Sequence, residues 1–345
     1  MIKKVETELL LDFDDVLIKP KVSDITLTRA DVNINIPWAS TEATPIVIAN
    51  MMSTGTYKIA KIASKEKVLT FLSKEYTIEE HRKHLPSIDQ RYIAISSGVR
   101  EKDLIKTLSI LEEFPDIPAV NVDIANVYAN IQGMWETVSE IRNRFPNIII
   151  IAGNIATPEP IADLVDAGAN YIKVGVGSGA ACKTRSEVGI GIPQLSAIMD
   201  CHHHARSYGV KIISDGGCVT AGDVSKAIAA GAELVMIAGM VSHCEECDNI
   251  IDINGDKFVS FYGLGSDKMY SIKKPDQAEY RPNEGRDLMI PVTGSIVEVI
   301  KQIKGALRST CTYVGAPSIN ALYNKSVFVR VNNTINRSLE RYGSK

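Results

Sequence analysis

The sequence lacks the features that mark membrane, secreted and nucleic-acid-binding chains. Its longest apolar runs, such as 148–152, fall far short of the roughly 18 residues of a membrane span. Near the start, Glu6, Glu8 and Asp12 interrupt the leucines, where a signal peptide needs an unbroken apolar region. The net charge of -3 shows no basic excess for nucleic acid. We therefore expect a cytoplasmic protein with neither a membrane nor a nucleic-acid partner.

Paired cysteine motifs are also scarce. Six cysteines are spread over 345 residues, and in a reducing compartment they are expected to remain thiols. Cys244 and Cys247 form one CxxC spacing, but no second CxxC or HxxxH follows it, which argues against a zinc site.

Short apolar segments alternate with helix-like segments. Such alternation predicts a parallel sheet, and eight units favour a closed (β/α)8 barrel of about 250 residues over a doubly wound sheet. We assign residues 1–345 to one catalytic domain, with an N-terminal extension, a flap and a C-terminal tail around the barrel. The predicted strands are 46–49, 68–71, 92–96, 119–122, 148–152, 171–174, 211–214 and 234–238. The predicted helices are 57–64, 77–84, 102–113, 129–144, 158–167, 194–206 and 220–230.

Two of these helices have recognisable start signals. Thr157 can cap a helix that has Pro158 at its first position, and Thr220 precedes Asp223 by three residues.

A long glycine-rich loop, residues 173–193, follows the sixth predicted strand. It holds five glycines and places Cys182 near its middle. A loop of this length is usually functional or disordered, and glycine-rich backbone lets a ligand approach closely. The alternative is a surface loop with a structural cysteine. We call this segment the Cys182 loop.

Polar residues and glycines follow most predicted strands, among them Asn50, Asp123 and Asn154. In a barrel these positions ring the catalytic face. Backbone amides after strands seven and eight predict an anion site, and Asp215 beside it suits sugar hydroxyls. This pattern indicates a phosphorylated sugar or a nucleotide as ligand.

Beyond strand eight, residues 252–256 predict a hairpin turn. The polar stretch that follows shows no clean periodicity, and we interpret residues of about 264–290 as a flap over the site. The alternative is a surface loop with no role at the site.

Taken together, these segments resemble the inosine-monophosphate dehydrogenase and GMP reductase family over nearly the whole chain. The matching motifs are 11–17, 49–51, 123–126, 152–154, 172–197, 213–218, 222–224, 261–263 and 308–315. Only residues 72–91 separate strands two and three, which leaves no room for the regulatory domain that dehydrogenases usually insert there. Residues 182–185, 279–285 and 309–314 also resemble the reductases of the family rather than the dehydrogenases.

The resemblance implies NADPH-dependent reductive deamination of GMP to IMP. Cys182 would attack C2 of the purine, ammonia would leave, and hydride would reach the covalent thioimidate. Two steps through a thiolate are easier than direct displacement of an amine from an aromatic ring. By resemblance, Thr184 and Glu284 form the relay that protonates the leaving nitrogen.

The resemblance also implies nucleotide contacts at the ribose, the phosphate and the base. Asp215 would bind the ribose hydroxyls. The other positions are Gly216, Gly217, Ala238 and Gly239 for the phosphate, and Gly263, Leu264, Gly265, Arg281 and Gly285 for the base and its surroundings.

Cofactor and cation contacts are implied in the same way. A potassium ion would bind backbone carbonyls of the Cys182 loop, at Gly177, Gly179 and Cys182, with Arg185 beside them. Some NADPH contacts would reach a neighbouring subunit, because the family is usually tetrameric, so a homotetramer is expected. The NADPH positions are Thr28, Arg29, Lys74, Asp123, Ile124, Ala125, Val176, Gly177, Ser309, Thr310, Cys311 and Thr312.

Some positions depart from the reductase pattern. Met52 stands where the family usually has an aspartate, and Ser73 and Glu75 flank Lys74 where histidines are usual. Two other functions stay open: an IMP dehydrogenase without its regulatory insert, using NAD, and a catalytically silent nucleotide-binding barrel. Nicotinamide absorbance with GMP or with IMP distinguishes all three.

Overall fold

Eight parallel strands close into a barrel, which confirms the predicted fold. The computed structural model describes residues 5–263, 265–269, 282–332 and 334. The barrel closes where 235–237 of the eighth strand pair with 46–48 of the first. Each predicted strand overlaps a barrel strand, with ends that differ by three residues at most. The strands are β1 (Ile46–Ile48), β2 (Leu69–Phe71), β3 (Ile93–Ser97), β4 (Ala119–Asp123), β5 (Ile149–Ile155), β6 (Tyr171–Val174), β7 (Lys211–Asp215) and β8 (Leu234–Ile237).

Helices cover the outside of the barrel, so the strands are largely buried and mostly apolar. They are α1 (Tyr57–Ala63), α2 (Ile78–His84), α3 (Glu101–Glu113), α4 (Ile131–Arg144), α5 (Ile161–Asp166), α6 (Gln194–Ala205), α7 (Ala221–Ala229) and α8 (Ile296–Val314). Residues 72–92 hold only α2 and short 3-10 turns. In the part of the chain that the structure describes, no helix has the length and apolar character needed to cross a membrane.

One predicted helix start is confirmed and the other is wrong. Thr220 and Asp223 form a reciprocal capping box at α7. Thr157 does not cap α5, which begins three residues after Pro158. The Thr157 hydroxyl instead lies 2.8 Å from the Tyr128 hydroxyl, and Ile161 N donates to the Pro158 carbonyl across a turn.

An insertion after β8 forms a three-stranded antiparallel sheet of Ile250–Ile253, Asp256–Tyr262 and Asp287–Pro291. The predicted hairpin is confirmed: Asn254 and Gly255 both have positive φ, as a two-residue hairpin turn requires. The last residues of the predicted flap, from Asp287, are therefore a strand.

The N-terminal extension closes the amino end of the barrel. Its hairpin, Ile36–Trp38 with Thr41–Ala43, which we call the plug hairpin, buries Trp38 against Tyr171 at the start of β6. The Trp38 indole donates to the Arg91 carbonyl at 3.0 Å. A second short pairing joins Val16–Ile18 to Phe328–Arg330, beyond a short helix at Leu322–Lys325.

We predict that Trp38→Ala lowers the free energy of unfolding by about 3–5 kcal/mol, because it empties a packed aromatic site. Trp38→Phe should cost less, since the ring stays and one hydrogen bond of about 1 kcal/mol is lost. Urea denaturation of the two variants and the wild type measures both effects. Equal urea midpoints for Trp38→Ala and wild type would contradict a stabilising role for Trp38 in the plug hairpin.

Candidate active site

The predicted catalytic residues lie at one end of the barrel. Asp123 ends β4, Asp215 ends β7, and Cys182 follows β6, while Ala238 and Gly239 come directly after β8. The carboxyl ends of parallel strands meet at one face, which carries the active site in (β/α)8 enzymes.

The Cys182 loop leaves the barrel at Gly175, because Lys173 and Val174 belong to β6. A Cβ at Gly175 would lie 1.9 Å from the Asp215 carbonyl oxygen, so only glycine fits. Beyond Cys182 the loop forms a single π-helical turn, Thr184–Val188. Such turns are frequent at functional sites.

Three side chains form a hydrogen-bonded chain across the loop and the flap. Cys182 Sγ lies 3.1 Å from Thr184 Oγ1, and Thr184 donates to Glu284 Oε2 at 2.7 Å. Because the threonine proton points to the carboxylate, its oxygen is available to accept from the thiol. This arrangement can move a proton between the sulfur and Glu284, which lies 100 residues beyond Thr184 in the sequence.

Backbone hydrogen bonds hold the flap against the loop on both sides of Cys182. Lys183 N donates to the Glu284 carbonyl at 2.7 Å, and Arg286 N donates to the Ala181 carbonyl at 2.9 Å. These bonds fix Glu284 relative to the sulfur without using its carboxylate.

Glycines permit this close approach. A Cβ at Gly285 would lie 2.4 Å from Ser266 N, and one at Gly263 would lie 2.8 Å from the Ala181 carbonyl oxygen. Gly285 N also donates to the Gly265 carbonyl at 3.0 Å. Three predicted base-site positions therefore lie beside the thiol, whereas Leu264 and Arg281 lie outside the described residues.

A buried lysine joins two carboxylates at the mouth of the barrel. Lys173 Nζ lies 2.9 Å from Asp215 and 3.3 Å from Asp123, and the lysine is 2% exposed. Burial opposes its charge, but the two carboxylates outweigh burial and raise the pKa of Lys173. Burial likewise opposes the charge of Asp123, yet Lys173 and other partners lower the pKa of that carboxyl. Lys173 and Asp123 are therefore both charged at neutral pH.

Sequence reasoning missed Lys173 as a functional residue. The available signal was a lysine inside a strand that is otherwise apolar, at a position that must point into the barrel or its wall. Amides complete the network: Asn50 donates to Asp123 and Asn154 donates to Asp215, each at 2.8 Å.

Asp215 has capacity for a ligand. Lys173 and Asn154 both bond to its Oδ2, and the described residues show no partner for Oδ1. The buried Asn154 Oδ1 also has no hydrogen-bond partner within the described ranges. Asp215 Oδ1 is therefore the acceptor that sugar hydroxyls could use, whereas Asn154 Oδ1 is closed off from solvent.

The predicted phosphate positions are only partly available. Gly216 and Gly217 have φ of +90° and +82°, and Gly217 N donates to the Ser178 carbonyl at 2.9 Å. That amide is used by the loop, so it cannot also bind phosphate. Gly216 and Gly239 remain the candidate amides, because Val241 N, at the end of the turn Gly239–Val241, already donates to the Ala238 carbonyl.

Several predicted cofactor residues lie on this face. Lys74 donates to the Asp123 carbonyl at 3.1 Å, which places Lys74, Ile124 and Ala125 together beside the lysine network. Val176 and Gly177 begin the Cys182 loop. These residues line the mouth from β2 to β6.

The other predicted cofactor residues lie toward the opposite end of the barrel. Helix α8 starts near the catalytic face and runs past Lys304, which bonds to Glu66 just before β2. Ser309, Thr310, Cys311 and Thr312 lie beyond that point, and the segment after Thr28 and Arg29 leads to the plug hairpin. The Cys311 side chain is fully buried, so it cannot contact a cofactor directly.

The unusual residues Met52 and Ser73 contact each other. Ser73 Oγ lies 3.6 Å from Met52 Sδ, at the ends of β1 and β2. The two departures from the reductase pattern thus form one local pair, in which a methionine and a serine meet without charge.

The arginine predicted beside a cation is engaged elsewhere. The Arg185 guanidinium binds the Asp12 carboxylate at 2.6 Å and the Ile192 carbonyl at 2.8 Å. In the described ranges no three His, Cys, Asp or Glu side chains cluster as metal ligands. A potassium ion would therefore depend on backbone carbonyls; the Gly179 carbonyl accepts from Cys182 N and keeps a second lone pair.

Comparison with known proteins agrees with this geometry. The family model "IMP dehydrogenase / GMP reductase domain" matches residues 10–338. The chain is 39% identical to human GMP reductase 1 over 337 residues, covering 95% of this chain and 97% of the relative. It is 36% identical to the GMP reductases of Serratia proteamaculans and Caenorhabditis elegans, covering at least 95% of each chain. The chain therefore belongs to the IMP dehydrogenase/GMP reductase family.

Proposed function

We propose that this protein is a GMP reductase, an oxidoreductase of purine nucleotide metabolism that converts GMP to IMP and ammonia. The observation that carries the proposal is the Cys182–Thr184–Glu284 chain, which joins a nucleophile to a proton relay. The relatives' names support the same reaction.

Cys182 acts as the nucleophile on C2 of the purine. The thiol proton passes through Thr184 to Glu284, and the relay then protonates the departing amine as ammonia leaves. A covalent thioimidate on Cys182 remains. NADPH supplies the hydride that reduces C2, after which the C2–S bond breaks and IMP leaves.

The polar network orients both ligands in this proposal. Asp215 Oδ1 accepts from the ribose hydroxyls, while Gly216 and the turn at Gly239 face the phosphate. Asp123, Lys74 and the first residues of the Cys182 loop hold the nicotinamide side of NADPH.

We further propose that NADPH binds between subunits of a homotetramer. Support comes from the separation of Thr28, Arg29 and 309–312 from Cys182 within one chain. A neighbouring subunit could bring those residues to the far end of the cofactor. The free thiol that the mechanism needs also suits the reducing cytoplasm.

Among the described residues of the site, no feature favours the dehydrogenase or the silent barrel. Residues 72–92 lack the regulatory insert, and the thiol, hydroxyl and carboxylate form an unbroken chain. The decisive assay is nicotinamide absorbance at 340 nm: we expect loss of NADPH with GMP, and no gain of NADH with IMP and NAD.

We predict that Cys182→Ala abolishes turnover while GMP still binds, because Asp215 and the phosphate turns remain. Cys218→Ser is the matched control, since burial raises the pKa of the Cys218 thiol and suits it to a structural role. Steady-state assays and equilibrium GMP binding measure the two effects. Substantial turnover by the alanine variant would contradict covalent catalysis.

Glu284→Gln should separate deamination from hydride transfer. Deamination of GMP should slow roughly 100- to 10,000-fold, the usual contribution of general acid–base catalysis. In single turnover, IMP with NADP+ should still give a burst of NADPH of full amplitude, because Glu284 affects how fast the thiol loses its proton but takes no part in hydride transfer itself. Loss of that burst, with IMP binding intact, would assign Glu284 to the hydride step instead.

A monovalent cation should activate the enzyme. Backbone carbonyls at Gly177, Gly179 and Cys182 could converge on potassium, since Gly177 has a positive φ and lets the chain turn sharply. Turnover should be higher in potassium chloride than in tetramethylammonium chloride at equal ionic strength. Equal rates in both salts would contradict the cation site.

A further inference from the structure

Residues 11–15, which we call the N-terminal strap, lie against the Cys182 loop and the turn at Gly216 and Gly217. Leu11 exchanges two hydrogen bonds with Ser196 near the start of α6: Leu11 N donates to Ser196 Oγ at 2.8 Å, and Ser196 N donates to the Leu11 carbonyl at 3.1 Å. Phe13 is buried, and its carbonyl accepts from the buried Lys226 Nζ at 2.9 Å. A Cβ at Gly217 would lie 3.1 Å from the Phe13 ring. The strap is therefore fixed to the barrel on both sides of Asp12.

Asp12 is the charged member of the strap that reaches the loop. Its carboxylate binds both terminal nitrogens of Arg185, at 2.6 and 3.3 Å, and accepts from Gln194 N at 2.5 Å. One carboxylate thus joins the middle of the loop to the residue where α6 begins. A bidentate pair of this kind restricts orientation as well as distance.

Arg185 in turn braces both halves of the loop. The aliphatic part of its side chain packs against Gly177 and Gly191. A Cβ at either glycine would lie only 2.8 Å from Arg185 Cγ. Its guanidinium donates to the Ile192 carbonyl. Arg185 directly follows Thr184 in the π-helical turn, so a shift of the arginine moves the hydroxyl of the relay.

We propose that Asp12 is a positioning residue, which acts through Arg185 to hold Thr184 between Cys182 and Glu284. This inference rests on the proposed function for its kinetic consequence. The pair is about two-fifths exposed, and exposed pairs contribute little to overall stability, so its effect should be local to the loop.

Asp12→Asn keeps the size of the side chain and removes the charge. We expect kcat for GMP reduction to fall about 10- to 100-fold, as for a small displacement of catalytic groups. KM for GMP should change less than about threefold, because Asp215 and Gly216 are untouched. Asp12→Glu should restore part of kcat, since it returns the carboxylate.

A double-mutant cycle tests whether Asp12 affects kcat through Arg185. If Asp12 acts through Arg185, the double variant Asp12→Asn with Arg185→Gln should be no slower than Arg185→Gln alone. The matched control is Asp89→Asn, which breaks another bidentate pair, with Arg91, just before β3 at the amino end of the barrel. It should leave kcat and KM unchanged.

Amide hydrogen exchange, followed by mass spectrometry, measures how well the backbone amides of the Cys182 loop are protected and needs no turnover. In Asp12→Asn, peptides that cover 176–193 should exchange several-fold faster, while peptides from β4 and β8 should match wild type. Unchanged loop exchange, or a general acceleration throughout the barrel, would overturn the proposal, as would fully additive effects in the cycle. If wild type does not reduce GMP, the proposed function fails, and loop exchange alone then decides the role of Asp12.

Discussion

The balance between one ammonium group and two carboxylates at the barrel mouth underlies the whole site. Lys173 bridges Asp123 and Asp215, so three strands are joined through charge where their carboxyl ends meet. Removing one partner of a buried pair typically costs 3–5 kcal/mol, because the remaining charge is left uncompensated. The same contacts aim Asp215 at the ligand space and place Asp123 beside Lys74. Charge balance inside the barrel and ligand orientation at its mouth thus depend on the same groups.

The reactive groups are supplied to this base by two segments, the Cys182 loop and the flap. Neither holds a complete relay: Cys182 and Thr184 come from the loop, and Glu284 comes from the flap. Backbone hydrogen bonds on both sides of the thiol join them, and glycines at 263 and 285 let the chains approach closely. The N-terminal strap supports the loop from the other side. A reactive thiol is thereby held by contacts from three distant parts of the sequence.

Much of this organisation was predictable from local patterns. Apolar strands alternating with helices predicted the barrel and the approximate ends of all eight strands, because strands buried on both faces leave a strong apolar signal. The thiol, its threonine and the flap glutamate were identified through family motifs, and the structure brings them within hydrogen-bonding distance. The start of α5 was mispredicted because Tyr128, a distant residue, holds the Thr157 hydroxyl.

The sequence by itself determined the order of elements, the glycine-rich loop and the types of reactive side chain, since these depend on neighbours along the chain. Only the tertiary structure decided which distant groups meet. It paired Lys173 with two carboxylates, Arg185 with Asp12, and Met52 with Ser73, and it used the Gly217 amide within the loop. It also separated residues 309–312 from Cys182. These outcomes depend on barrel closure and packing, which bring together residues with no local sequence relation.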